Sequence, residues 1–446
     1  MSTIRGIARR LWELADQEVR WLLSRNIWPR LKFWPRLKPR FLRGAVLTGL
    51  VLLALVERAR TSWRRLRGAR PRLIWGPSAI LNNKYWSAAM RSIGYESRTV
   101  IAADSGITRR EDWDVCRDDF LGDSPLAESL RTYAMFASAM RHGDVFMFYF
   151  DGGYLRFTGL EWIEFRLLRL AGKKLVFSPY GGDIAVLGHL GSLEEPLLAD
   201  YPELPEISDL LERRVLHSLR WADVSMLTMQ PGFQPWFNVL WANQLAIDTE
   251  LWRGNGSASE RDGRNGAVSI VHAPNHRQFK GTEHLERAVE TLRGEGLSID
   301  LRILEGLPNE QVRSIVRDSD IVADQFLAGW GLFAVEGMAA GKPVLSNLES
   351  IPALFKGSAD VRECPIVDTS PASLTDDLRR LVTSPNLRDE LGRASLDYVR
   401  RYHSYEAVAE GWRAVVEFVW RGTPLPRRFQ PPVVPERVPA TLPDSK

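Results

Sequence analysis

From Leu73 onward, short apolar runs alternate with longer segments whose apolar positions recur every three or four residues. The short runs predict buried strands and the periodic segments amphipathic helices. Strands are expected at Leu73–Trp75, Tyr95–Ala103, Asp144–Phe150 (DVFMFYF), Lys174–Ser178 and Asp223–Met229. Helices are expected between them at Lys84–Ile93, Ser129–Met140 and Trp162–Leu170. The pattern restarts with strands at Ala267–Ala273, Asp300–Glu305, Asp320–Phe326, from Lys342, and at Cys364–Asp368. Helices are expected at Glu283–Arg293, Asn309–Arg317, Ala372–Thr383, Leu387–Arg401 and His403–Trp420. Such alternation predicts an α/β protein with two doubly wound parallel sheets, whose ligands gather at the carboxyl ends of the strands.

The first 72 residues read differently. They hold 18 Lys/Arg against 4 Asp/Glu, a balance of +14 in a chain whose net charge is +4, so the remainder is acidic. Trp12, Trp21, Trp28, Trp34 and Trp63 are interleaved with this charge, and WPRLK occurs twice, from Trp28 and from Trp34. Gly44 to Val56 is an uncharged apolar run of 13 residues, short of the about 20 that a spanning helix needs. A helix lying in the membrane interface is therefore expected, on the anionic inner face of the cell membrane, with the chain cytoplasmic and peripheral. A signal peptide is disfavoured, because the run starts late and more positive charge follows it. A full span from Phe41 to Leu55, a basic arm with one core helix, and a nucleic-acid-binding arm are the other readings. The apolar run favours lipid, and no nucleic-acid partner is expected.

At 446 residues the chain is long enough for two medium domains. Two cysteines, Cys116 and Cys364, make no disulfide framework, and no Cys/His cluster has zinc spacing. A reducing compartment is expected, with no metal and no cofactor. The expected divisions are 1–71, basic and membrane-associating; 72–240, a first α/β domain; 241–403, a second; 404–421, a helix crossing back to the first; and 422–446, a Pro-rich tail expected to be disordered. Within the second division, 253–266 reads as a polar surface loop.

The stretch DQFLAGWGLFAVEGMAAGKPVLSNLE, Asp324 to Glu349, carries the most chemistry. A strand end turns through Gly329, Trp330 and Gly331 into a helix that bears Glu336 and ends at Gly341. A glycine turn feeding a helix start offers free N–H groups and a positive dipole end to an anion. A carboxylate close by can accept hydrogen bonds from sugar hydroxyls. In the first half, Asp151 and Asp183 sit in Gly-containing loops at strand ends; Asp183 can orient or deprotonate a hydroxyl, and is equally an ordinary turn residue.

The stretch resembles the donor site of GT-B glycosyltransferases, specifically the retaining family 4, whose pattern is Glu-x7-Glu around a Gly-aromatic-Gly turn, followed by a helix and Gly-x-Pro-Val. The turn, Glu336, and Gly341 to Val344 match, and Ala328 replaces the first Glu. In the family the first Glu contacts the transferred sugar and the second the ribose. Ile247-Asp248 and Trp252 match the family's interdomain passage in part. Arg277 and Lys280 stand where the family places cations for the donor pyrophosphate. The resemblance implies two Rossmann-like domains facing across a cleft, with Arg277, Lys280 and Asp183 as catalytic residues. It implies donor contacts at Gly76, Glu305, Gly331, Leu332, Phe333 and Glu336. Glu305 opens a loop that meets the base, and Gly76 permits close approach. Asp324 and Gln325 are candidates for the sugar contact that Ala328 cannot make. The implied reaction is hexosyl transfer, with retention and without metal, from a nucleotide-sugar to a glycan or lipid-linked acceptor near the membrane. A non-catalytic membrane-tethered scaffold and a sugar-nucleotide epimerase are the alternatives.

Overall fold

The structure, a computed structural model, describes residues 34–102, 108–122, 124–254 and 259–437. The expectations for Trp12, Trp21, Trp28 and residues 438–446 lie outside the described residues. The chain divides into two compact units, Met1–Leu53 and Ala54–Lys446. In the first, the described residues belong to a helix, Trp34–Leu66, that continues into the second. The 13-residue apolar run is thus the middle of a 33-residue helix. Among the described residues, no helix is long and apolar enough to cross a membrane.

In the second unit, seven parallel strands form the first sheet: β1 Leu73–Trp75, β2 Ser97–Ile101, β3 Val115–Cys116, β4 Val145–Phe148, β5 Lys174–Phe177, β6 Val224–Leu227 and β7 Val239–Leu240. Their order is β3-β2-β1-β4-β5-β6-β7. The second sheet holds β8 Val268–His272, β9 Ile299–Ile303, β10 Ile321–Ala323, β11 Val344–Ser346 and β12 Val367–Asp368, ordered β12-β11-β10-β8-β9. Helices cover both faces, so the central strands β1, β4, β8 and β10 are buried at every residue.

Residues 54–71 pack with the first sheet. Glu57, Thr61, Asp144 and Lys173 are all buried. The Lys173 Nζ donates to Thr61 Oγ1 at 2.9 Å and lies 3.5 Å from Glu57. Asp144 accepts from Arg64 and Arg72 at 3.0 Å each. Burial pushes the Lys173 ammonium down to about 8 against the pull of Asp144 and Glu57. The charges are mutually compensated, which is the condition for keeping ions in a core.

The two domains are joined twice. Ile247 N donates to His403 O at 2.8 Å where the outgoing passage and the returning chain lie side by side. The helix Tyr405–Arg421 then packs on the first domain's Leu81–Ser92 helix. Its Trp412 sits 4.8 Å from Trp75 and 5.0 Å from Trp86, ring to ring. The tail departs from its expectation over 422–437. Leu425 and Phe429 are buried, and Phe429 packs 5.0 Å from Trp241. Two apolar anchors hold an otherwise polar, proline-rich segment.

Candidate functional site

The loops after β8, β9 and β10 build one side of the cleft. The short helix Arg277–Lys280 follows β8 and ends at Gly281, whose φ of 73° suits glycine. It delivers Lys280, nearly buried, whose Nζ donates to Asp324 Oδ1 at 2.9 Å. Asp324 Oδ2 accepts the Gly331 N–H at 2.7 Å. The Lys280 ammonium also stands 5.8 Å over the Phe333 ring. Gly331 caps the helix Leu332–Ala339 without any side-chain cap, so the first-turn N–H groups at Leu332 and Phe333 have no partner within the helix. Lys280 and the helix start therefore converge, and Asp324 is the group that joins them.

Glu336 lies in the second turn of that helix, buried, and accepts from Asn309 Nδ2 at 2.8 Å. Burial pushes its carboxyl up to about 8. Asn309 follows the Glu305–Pro308 loop, so the expected base loop and the expected ribose carboxylate are adjacent. Arg277 is oriented differently from the expectation. It pairs with Glu286 at 2.8 Å and with Glu305 at 3.2 Å, half-exposed, and reaches neither Asp324 nor Gly331. Two glutamates within reach, one on the following helix and one after β9, hold its guanidinium. Gln325 donates to Gly329 O, and Ser346 Oγ donates to the same carbonyl at 3.1 Å, so Gln325 braces the turn in which Ala328 is buried.

On the first domain, Asp183 is buried with both oxygens engaged by backbone. Oδ2 accepts from Phe150 N at 2.9 Å; Oδ1 accepts from Tyr180 N at 3.0 Å and Gly181 N at 2.9 Å. Burial pushes it up to about 7 while these donors pull it down. Asp183 thus ties the β4 and β5 loops together through three backbone donors. Gly76 also has a packing reason: at φ 147° its missing Cβ would lie 2.0 Å from Val100 O. Asp151 is arranged otherwise. Its Oδ2 accepts from Ser78 Oγ at 2.7 Å, while its Oδ1 is buried without a partner, as are Tyr149 Oη and Asn82 Oδ1. Burial raises the Asp151 carboxyl. Three buried polar atoms at the carboxyl ends of β1 and β4 thus lack a hydrogen-bond partner, where the great majority of buried polar groups have one.

Contacts across the cleft bring these sides together. Asp200, from the first domain, accepts from Phe279 N at 2.8 Å and Gln278 N at 3.2 Å, capping the helix that carries Lys280. Tyr201 Oη is 2.7 Å from His276 Nε2. Burial pushes the Tyr85 hydroxyl up. Asp200, Tyr201 and Asp151's free oxygen are functional groups that the expectations omit or underplay. Asp200 and Tyr201 carry no motif; only the fold brings them to the Lys280 helix. Among the described residues, no cluster of His, Cys, Asp and Glu could hold a metal ion.

No family model matches the chain. A curated relative, D-inositol 3-phosphate glycosyltransferase of Corynebacterium diphtheriae, is 27% identical over 135 residues, 29% of this chain and 30% of that protein. The likeness therefore spans less than a third of the relative's length. Sucrose-phosphate synthase of Thermosynechococcus elongatus superposes with a TM-score of 0.51 at 13% identity, over 79% of this chain and 100% of the other. The HepE protein of Anabaena, in complex with UDP-glucose, gives a TM-score of 0.49 at 13% identity over 78% of this chain and all of its own. Two parallel-sheet α/β domains, facing across a cleft and joined by a passage and a returning helix, give this chain the GT-B fold.

Proposed function

We propose that this protein is a glycosyltransferase that moves a sugar from a nucleotide-sugar donor to an acceptor hydroxyl. The observation that carries this reading is the meeting of Lys280, the start of the helix Leu332–Ala339 and buried Glu336 in the cleft of a GT-B fold. The short likeness to a D-inositol 3-phosphate glycosyltransferase supports it.

In this reading the donor diphosphate lies at the helix start, where Lys280 and the Leu332 and Phe333 N–H groups face it. Glu336 holds a ribose hydroxyl, and the Glu305–Pro308 loop lies against the base. The bond from the sugar's anomeric carbon to the phosphate oxygen breaks while the bond to the acceptor oxygen forms. The acceptor's proton passes to the departing phosphate oxygen on the same face, so configuration is retained. Asp151, Ser78, Tyr149 and Asn82 orient the acceptor, and Asp183 positions the loops that carry them. Arg277 is held by exposed ion pairs worth about 0–1 kcal/mol each, so turning toward a diphosphate costs little. No metal or cofactor is required.

The acceptor is a membrane-proximal glycan or lipid-linked sugar, and the chain is peripheral on the cytoplasmic face. Support comes from the helix Trp34–Leu66. Leu55, Val56, Trp63 and Leu66 are each about half-exposed or more and fall within about 100° of one another around the helix. Arginines flank them, as in an interfacial helix.

One observation favours a second reading, a tethered scaffold without turnover. Asp324 already occupies both Lys280 and the Gly331 N–H, and two glutamates occupy Arg277. Purified protein incubated with UDP-, GDP- and ADP-sugars decides between them. Release of a nucleoside diphosphate that depends on Lys280 supports the transferase; a folded protein that neither binds nor cleaves any of them supports the scaffold.

A further inference from the structure

Away from the cleft's donor groups, a groove of about 730 Å³ runs along the hinge side of the molecule. It shares no residue with the donor or acceptor groups described above. Its walls come from both domains: Leu240 from β7 of the first sheet, Trp241 from the interdomain passage, Arg362 and Arg401 from the second domain, and Arg427, Arg428 and Phe429 from the docked tail. Asp360 is the single carboxylate lining it. Arg401 is paired with Glu363 at 2.7 Å. The guanidinium groups of Arg362, Arg427 and Arg428 make no ion pair or hydrogen bond among the described residues, and that of Arg428 stacks 4.7 Å over Phe429.

Three unpaired guanidinium groups against one carboxylate leave an excess of like charge, and a concave site with such an excess gains when an anion enters. Guanidinium groups match phosphate oxygens in a fork geometry that ammonium groups lack. The groove's volume lies in the range of small-molecule sites. Trp241 and Phe429, with Phe355 and Leu354 beyond them, give it an apolar and aromatic wall. A flat or apolar body carrying a phosphate satisfies both halves of this lining.

We infer that this groove is a second anion site, which takes an organic phosphate with a flat or apolar body and touches both domains at once. The phosphate comes either free in solution or as the headgroup of a lipid; the lining chemistry is the same. The inference does not depend on the glycosyltransferase reading.

The test is calorimetric titration of the full-length chain with phenyl phosphate and with inorganic phosphate. Phenyl phosphate is expected to bind more tightly than inorganic phosphate. Its affinity is expected to fall about tenfold or more in Arg427→Ala/Arg428→Ala, because two charge-assisted contacts are lost. It is expected to persist in Lys280→Met/Asp324→Asn, which alters only the cleft. Arg427→Lys/Arg428→Lys, with charge kept and fork geometry lost, is expected to fall between. Water-soluble dihexanoyl phosphatidic acid separates the sources: tighter binding than phenyl phosphate assigns a lipid headgroup, weaker binding a free organic phosphate, and both support the site. No binding of either probe at millimolar concentration overturns the inference. So does an alanine pair that binds like the wild type, or a loss that follows the Lys280 variant instead.

Discussion

Replacing Lys280 by Met removes the ammonium and keeps most of the apolar stem. The Lys280 side chain is 10% exposed and that of its partner Asp324 is fully buried, at 2.9 Å. Breaking such a pair from one side typically costs about 3–5 kcal/mol, because the other charge is left uncompensated. Asp324 keeps the Gly331 N–H at 2.7 Å, which places the cost near the lower end, about 3 kcal/mol. Adding Asp324→Asn removes the orphaned charge, and the amide oxygen can still accept from Gly331. The double variant is therefore expected to return to within about 1 kcal/mol of wild-type stability. Turnover follows a different course. A fixed cation beside a departing diphosphate is worth about 100- to 1,000-fold in rate, and neither variant has it. Urea midpoints with unchanged slopes measure the first quantity; release of nucleoside diphosphate from a nucleotide-sugar measures the second. Stability restored with turnover still about 100-fold down or more is the predicted pattern. A double variant that regains turnover along with stability refutes the assignment of Lys280 to the leaving group and makes the pair a structural one.

Glu336, pushed up to about 8 by burial, binds a proton in the folded chain that the unfolded chain releases near 4.5. Its contribution to stability is therefore complete below about 4.5 and is lost as pH rises through about 8. Glu336→Gln is expected to flatten that decline in urea midpoints and to hold donor KM near wild type at pH 6, whereas Glu336→Ala raises donor KM about tenfold; an unchanged pH slope in the Gln variant contradicts this. Asp151→Asn is expected to raise acceptor KM without moving donor KM. Asp183→Asn, which breaks at least one of three backbone contacts, is expected to cost about 1–3 kcal/mol of stability; the reverse pattern exchanges their roles. Asp200→Ala uncaps the Lys280 helix and is expected to cost about 1 kcal/mol and to weaken binding of a nucleoside diphosphate in calorimetry; unchanged stability and affinity together contradict it. Leu55→Ser/Val56→Ser/Trp63→Ser is expected to lower sedimentation with phosphatidylglycerol vesicles, and equal sedimentation counts against the membrane reading.

The sheets were legible because buried parallel strands read as unbroken apolar runs: DVFMFYF contains β4 whole, and AVSIVHA contains β8. β3 and β7 have two residues each, too few for any periodic signal. The helix Leu204–Trp221 is absent from the expected elements, although Pro205 at its start and Leu211, Val215 and Leu219 at helical spacing mark it. In the site, local chemistry was readable and pairing was not. Gly331, Lys280 and Glu336 carry their meaning in their own neighbourhoods. Asp324 meeting Lys280 across 44 residues, and Arg277 turning to Glu286 and Glu305, depend on how separate loops pack. The aspartates after strands looked alike in sequence. Only burial and hydrogen bonding separate Asp183, both of whose oxygens accept from backbone, from Asp151, with one buried oxygen unpartnered. The tail read as polar and proline-rich, and two side chains, Leu425 and Phe429, were enough to dock it.

The most direct measurement is calorimetric titration of the folded full-length chain with UDP, GDP and ADP, repeated on Lys280→Met/Asp324→Asn. The account predicts that at least one of the three binds the wild type and loses about tenfold or more in affinity in the variant. Three flat titrations of a folded protein, or equal affinity in both chains, contradict the claim that Lys280 and the Gly331 helix start form a diphosphate site.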